Sequence, residues 1–249
     1  MYHFYTDRSN IFDDHIVLEG ADVNHIRNVL RMRDGEELII CDGEGTDHYC
    51  RIRGNDGKKL VVDIEKTTDS EAEASASIIL FQGLPKKDKM ELIIQKAVEL
   101  GVSEVIPVMT RRVIVKAGSD EKESRKLERW QSIAKSAAEQ SGRGIIPKVR
   151  ETVSFEEALK MGSKLDSCLI PYENADSSDE GMEDARNTVR SLKGKKSIGV
   201  FIGPEGGFEE EEVRQAVDAG FKTISLGKRI LRTETAGLAM LAVIGFEIG

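Results

Sequence analysis

Cysteine and histidine are scarce in this chain, three of one and four of the other in 249 residues. Cys41, Cys50 and Cys168 form no CxxC pair, and His3, His15, His25 and His48 show no metal-ligand spacing. Neither a disulfide framework nor a zinc motif is therefore expected. No apolar run is long enough to cross a bilayer; the longest, "AGLAMLAVIGF" at 236–246, falls well short of a spanning helix. The opening "MYHFYTDRSN" lacks the apolar core of a signal peptide. Neither the GxGxxG dinucleotide fingerprint nor the GxxxxGK[ST] loop is present, which disfavours nicotinamide and nucleoside-triphosphate chemistry. These absences lead to the expectation of a cytoplasmic, reduced, metal-free protein.

What is present reads as an ordinary globular chain, 39% hydrophobic and 32% charged, long enough for one large domain or two smaller ones. The net charge of −8 argues at first against a polyanionic partner, but its distribution is uneven. Residues 84–150 carry 15 Lys/Arg against 9 Asp/Glu, whereas residues 1–70 carry 9 against 15 and residues 151–249 carry 12 against 18. A basic middle between acidic flanks is compatible with a local docking face for a polyanion, or with a solvated surface of uneven charge.

Residues 1–70 read mainly as short strands, "ELIICDG", "HYCRIRG" and "KLVVDIEK", punctuated by "DGEGTD" and "GNDGKK"; with one helix at 21–31 they predict a small β-barrel. Residues 67–77 are small and polar and read as a linker, placing a first domain at 1–70, a linker at 71–77 and a second domain at 78–249. From residue 77 strands and helices alternate: strands at 77–84, 104–110, 167–172, 197–203 and 222–227, and helices at 88–101, 121–141, 180–192, 209–219 and 234–247. That order predicts an α/β domain with a mostly parallel sheet, whose ligand belongs at the carboxyl ends of the strands.

Two stretches carry chemistry. "VFIGPEGGF" at 200–208 ends an apolar strand in a glycine turn, and Glu209–Glu212 follow. Acids in a first helical turn suit the helix dipole but repel phosphate, so the stretch is either a tight turn capped by dipole-compensating acids or a site for a ligand without phosphate, such as S-adenosylmethionine. "SLGKRILRTETAGLAML" at 225–241 places Ile230 and Leu231 in a charged loop, either plugging the core or lining a slot for a flat base. Thr233 is placed to cap the helix that follows, and that helix is apolar enough to need burial on several sides.

"GPEGG" followed by "LG.RILR.ETA" resembles the signature of the SPOUT methyltransferases. "HIRNVLRMR" at 25–33, "LPKKDKMELIIQKAVELGV" at 84–102 and "RWQSIAKSAAEQSGR" with "IPKV" at 129–149 narrow the resemblance to the RsmE family of ribosomal RNA small subunit methyltransferases. The resemblance implies a PUA-like N-terminal barrel, a C-terminal trefoil-knotted domain and a homodimer. It also implies methylation of N3 of one uridine in 16S ribosomal RNA with S-adenosylmethionine. By the same resemblance Ile202, Gly203, Pro204, Glu205, Gly206, Gly207, Leu226, Gly227, Ile230, Leu231, Arg232, Thr235 and Ala236 form the cofactor pocket, completed by Tyr172 and Glu173. For the chemistry, Arg232 is the candidate cation for the charge that develops on the uracil, and Glu234 or Glu205 the candidate proton acceptor. Arg232 paired to Glu234 as a structural salt bridge is the competing role. Candidate RNA contacts are Arg31, Arg33, Lys86, Lys89, Arg111, Arg112 and Arg143, together with Lys122, Arg125, Lys126 and Arg129 on one helix face. The alternatives are a ribose 2′-O-methyltransferase and a non-enzymatic RNA-binding or ribosome-assembly protein.

Overall fold

A computed structural model describes residues 1–55, 58–86, 88–113 and 120–248. The "GNDGKK" turn and the "LPKKDKM" stretch lie partly outside these residues, at 56–57 and 87. The chain forms two compact units, one of residues 1–73 with 138–146 and one of residues 74–137 with 147–249.

The N-terminal unit is a curled five-stranded sheet. Its strands are β1 (Tyr2–Tyr5), β2 (His15–Glu19), β3 (Glu37–Cys41), β4 (Thr46–Asn55) and β5 (Lys59–Asp69), in the order β1-β3-β4-β5-β2. β1 runs parallel to β3 and the other pairs are antiparallel. Period-two alternation buries Ile16 and Leu18, Leu38 and Ile40, Cys50 and Ile52, and Leu60 and Val62 in one core, as half-buried strands require. Register shifts in β4 after Tyr49 and Ile52 sharpen the local bend.

The helix expected at 21–31 departs from a regular α-helix. One α-turn, α1 (Ala21–Asn24), widens into a π-turn at His25–Val29. Ile26 is thereby fully buried, while Val29 is 64% exposed instead of joining the apolar stripe. The turn stops at Arg31, whose φ of 59° is the one positive value at a non-glycine residue among those described. The expected linker also has more structure than its composition shows. β5 runs to Asp69, and the Glu73 carboxylate accepts hydrogen bonds from the Arg143 guanidinium and from the backbone N–H groups of Gly144 and Ile145.

The second unit is an α/β layer around a seven-stranded sheet, in which every pair is parallel. Its strands are β6 (Ser77–Gly83), β7 (Glu104–Met109), β8 (Lys148–Val149), β9 (Val153–Ser154), β10 (Ser167–Pro171), β11 (Ser197–Ile202) and β12 (Lys222–Ile224). The order is β12-β10-β11-β6-β7-β8, with β9 also on β7. The helices are α2 (Lys89–Glu99), α3 (Asp120–Ser141), α4 (Phe155–Gly162), α5 (Asp179–Arg190), α6 (Glu210–Asp218) and α7 (Thr233–Ile248). α2 buries Met90, Ile93, Ile94, Ala97 and Val98, the face its periodicity marks. α4 was not expected; Ser154 and Glu157 cap it reciprocally, the capping-box pattern. α7 packs against α2, α5, β6 and β11. Met240, Leu241 and Ile244 are buried, while Val243 is 49% and Phe246 91% exposed. A single chain thus leaves the other side of this apolar helix uncovered.

Candidate functional site

β10, β11 and β12 are neighbours, and their carboxyl ends open into a cavity of about 390 Å³. The end of β10 contributes Tyr172 and Glu173, and β11 contributes Ile202 and the turn residues Gly203, Pro204, Glu205 and Gly207. The loop after β12 contributes Leu226, Gly227, Ile230, Leu231 and Arg232, and α7 adds Ala236. Residues from three strand ends, far apart in sequence, thus close into one wall. Two predicted members, Gly206 and Thr235, are not in the wall. Pro171, Phe208, Ser225, Lys228, Arg229 and Thr233 are in it as well, all but Pro171 within the two stretches the sequence singles out, and so are Lys89 and Ser177, which carried no pocket signal. Ile230 is 85% exposed and lies on the cavity, so it does not plug the core.

Glycine is required where the turn folds on itself. A Cβ on Gly203 would lie 3.0 Å from the carbonyl carbon of Gly207, which itself adopts φ +69°, a region open to glycine at little cost. The Gly207 N–H donates to the Pro204 carbonyl at 2.9 Å. Thr233 does not cap α7: its hydroxyl donates to the Gly203 carbonyl at 2.6 Å and accepts from Gln82 Nε2 at 2.9 Å. Gln82, fully buried in β6, is therefore a support of the site; the one amide in the apolar run "IILFQG" was its only trace in the sequence.

Three of the four acids after the turn have separate roles. Glu212 is 2% exposed, and its carboxylate accepts from the backbone N–H of Arg111 and that of Glu209, each at 2.9 Å. Glu209 takes the Arg112 guanidinium, which holds its carboxyl below the usual range. Glu211 pairs with Arg214. The run therefore braces the start of α6 and the segment after β7, in addition to its effect on the helix dipole.

At the cavity mouth Lys89 lies 3.2 Å from a carboxylate oxygen of Glu205 and 3.2 Å from one of Glu234. The competing role of Arg232, a salt bridge to Glu234, is not seen: Glu234 meets Lys89 instead. Arg232 is exposed and has no ion pair among the described residues. Partial burial raises the Glu205 pKa, but hydrogen bonds from its own N–H and that of Lys86, and then Lys89, outweigh it and leave the carboxyl below its ordinary value. A carboxylate so stabilised is a weak proton acceptor; Glu234 shares the same Lys89 ammonium and stands outside the cavity lining.

The predicted RNA contacts are placed unevenly. Arg31 and Arg33 are exposed without ion pairs among the described residues, and the Lys86 side chain is likewise exposed. Arg111 is exposed beside the turn. On α3, Arg125 pairs with Glu121, Arg129 with Glu91, and Lys126 with Glu123 while lying 4.6 Å above the Trp130 ring. Such surface pairs are weak and leave these cations available to a polyanion. Arg143 is different: it is 3% exposed and bonded to Glu73, an internal strut out of reach of phosphate. In the N-terminal unit His3, Cys41 and Asp47 bring donor atoms within 4.8 Å of one another, a proximity their spacing hides. His3 Nε2 meets Asp47 Oδ1 at 3.1 Å. The Cys41 thiol, pushed up to about 12 by burial, donates to the Gly144 carbonyl.

Comparison with known proteins places the chain in a family. Residues 72–245 match the RNA methyltransferase domain family and residues 18–65 the RNA methyltransferase PUA domain family. The ribosomal RNA small subunit methyltransferase E of Bacillus subtilis (strain 168) is 38% identical over 231 residues, 92% of this chain and 89% of that protein. The crystal structure of a ribosomal RNA small subunit methyltransferase E from Neisseria gonorrhoeae, bound to S-adenosyl methionine, superposes with a TM-score of 0.84 at 36% identity, covering 100% of this chain and 98% of the other. A putative methyltransferase from Legionella pneumophila, in complex with the bound cofactor SAM, superposes with a TM-score of 0.80 at 31% identity, covering 97% and 96%. The chain is an RNA methyltransferase and belongs to the ribosomal RNA small subunit methyltransferase E family.

Proposed function

We propose that this protein methylates N3 of a uridine in small-subunit ribosomal RNA, using S-adenosylmethionine held in the cavity at the ends of β10, β11 and β12. The observation that carries the reading is the wall itself. It combines backbone groups of a glycine turn, apolar Leu226, Ile230 and Leu231, the carboxylates of Glu173 and Glu205, and the cation Arg232, without an ion pair among the described residues. That set suits an adenosine carrying a sulfonium and an amino-acid tail: backbone groups read the base edge, aliphatic side chains cover its faces, and carboxylates face the cation. When bound, S-adenosylmethionine supplies an electrophilic methyl group.

The chain's residues supply the rest. The N3–H proton of the uracil must leave as N3 becomes a nucleophile, and negative charge spreads toward the flanking oxygens. Arg232 stabilises that charge, and Glu234, on the first turn of α7, receives the proton. A target base inside folded RNA must be unstacked to reach such a cavity. Arg31, Arg33 and Lys86 hold the RNA by its phosphates, which fixes position without reading sequence. In this reading residues 1–70 serve as the RNA-docking domain and 78–249 as the catalytic one.

The active form is a homodimer, in a cytoplasmic setting where small-subunit RNA is assembled. The uncovered side of α7, with Val243 and Phe246, and the exposed Leu92 of α2 offer the apolar surface a second copy would bury. The return of the chain from the edge strand β12 to α7 over β6 and β11 supports a trefoil knot. Calorimetric titration of S-adenosylmethionine is the test of the cavity: one site per chain is expected, and absence of binding removes the reading.

A further inference from the structure

We infer that Arg112 is a positioning residue for the cofactor turn and not an RNA phosphate contact; this rests on the reading of the cavity as an S-adenosylmethionine site. Its guanidinium spends three donors on two partners. Nε and Nη2 fork onto the two carboxylate oxygens of Glu209 at 2.8 and 3.1 Å, and Nη1 donates to the Gly206 carbonyl at 2.6 Å. Together with the Gly207 N–H on the Pro204 carbonyl, this fixes the peptide between Gly206 and Gly207 at both its ends. That peptide joins two glycines, whose backbone would otherwise rotate freely, and Gly207 lines the cavity.

Two further observations agree. The aliphatic stem of Arg112 lies on Gly206, where an added Cβ would come within 3.3 Å of Arg112 Cβ; Gly206 therefore faces this clamp instead of the cavity. A phosphate approaching the guanidinium would meet Glu209, already bonded to it, and Glu173, whose carboxylate flanks Gly207 on the same side as Arg112 Nη1. The planar fork is particular to arginine, so lysine does not replace it.

The test uses the full-length protein with Arg112→Met, Arg112→Lys, Glu209→Gln and the double variant Arg112→Met/Glu209→Gln. S-adenosylmethionine affinity is measured by calorimetry, and affinity for a small-subunit ribosomal RNA fragment, without cofactor, at two salt concentrations. Arg112→Met should weaken cofactor binding about tenfold or more, and Arg112→Lys nearly as much. RNA affinity and its salt dependence should stay at wild-type values. KM for S-adenosylmethionine should rise while kcat at saturation holds, a split that general loosening would not produce. The double variant should bind no worse than the weaker single one, because the two groups act as a unit. If Arg112→Met fails to fold, Arg112→Lys carries the test. Wild-type cofactor affinity in Arg112→Lys, or weaker RNA binding with a shallower salt dependence, would overturn the inference. A wild-type chain that binds no S-adenosylmethionine would instead overturn the reading of the cavity.

Discussion

Replacing Thr233 by Val removes one hydroxyl and leaves the shape of the side chain nearly unchanged. Thr233 is 5% exposed and Gln82 fully buried, so no cavity opens and the cost is one of hydrogen bonding. The change strands one N–H of Gln82, which keeps its other bond to the Gly83 carbonyl, and it strands the Gly203 carbonyl. A buried polar group left without a partner costs about 1–3 kcal/mol. Gly203 borders the cavity and can recruit water, so a total of about 2–3 kcal/mol is expected. For a unit of this size that lowers the melting temperature by about 5–10 °C. The loss should also appear in cofactor affinity, because the Gly203 carbonyl is the point where α7 holds the glycine turn. Differential scanning calorimetry, with and without S-adenosylmethionine, reads both effects. Thr233→Ser, which keeps the hydroxyl, should recover most of the affinity. A Thr233→Val protein that melts and binds like the wild type would show that this hydrogen-bond chain does not support the site.

Four other predictions follow from separate parts of the molecule. Arg232→Ala should lower the single-turnover rate by about 10²–10³-fold with RNA and S-adenosylmethionine both saturating, and a near-normal rate would remove Arg232 from the chemistry. Arg31→Gly should relieve a left-handed backbone worth about 1 kcal/mol, raising the stability of the N-terminal unit while it weakens RNA binding; wild-type RNA affinity would count against Arg31 as a contact. Phe246→Glu should yield a monomer by light scattering at micromolar concentration, and an unaltered dimer would place the interface elsewhere. Burial pushes the thiols of Cys41, Cys50 and Cys168 up to about 12, so the native protein should show no fast thiol-reagent reaction at pH 8 and three reactive thiols per chain once unfolded; a fast native thiol would contradict their burial.

Much of the second unit was legible because a buried parallel sheet leaves apolar runs such as "SIILFQG" and "SIGVFI", and its helices leave 3.6-residue stripes. The pattern marked the glycine-bearing strand ends at Gly203 and Gly227, whereas the rest of the expected pocket came from the family resemblance. Other features depend on distance in sequence. The Arg112–Glu209 fork joins residues 97 apart, so the sequence shows two ordinary charges. Arg143 read as a surface cation until the fold placed Glu73 against it. α4 was missed although "SFEE" at 154–157 carries a capping box, because its eight residues make too short a stripe. The π-turn at His25–Val29 was invisible because nothing in its residue types sets it apart from an α-helix.

The central claim is the reaction itself. The purified protein should be incubated with unmethylated small-subunit ribosomal RNA, or the subunit containing it, and S-adenosylmethionine bearing a labelled methyl group, and the RNA then digested to nucleosides for mass spectrometry. The account predicts one labelled product, 3-methyluridine, formed by the wild type and greatly reduced with Arg232→Ala. Label on a ribose 2′-oxygen, or no labelled nucleoside with a protein that binds S-adenosylmethionine, would contradict it.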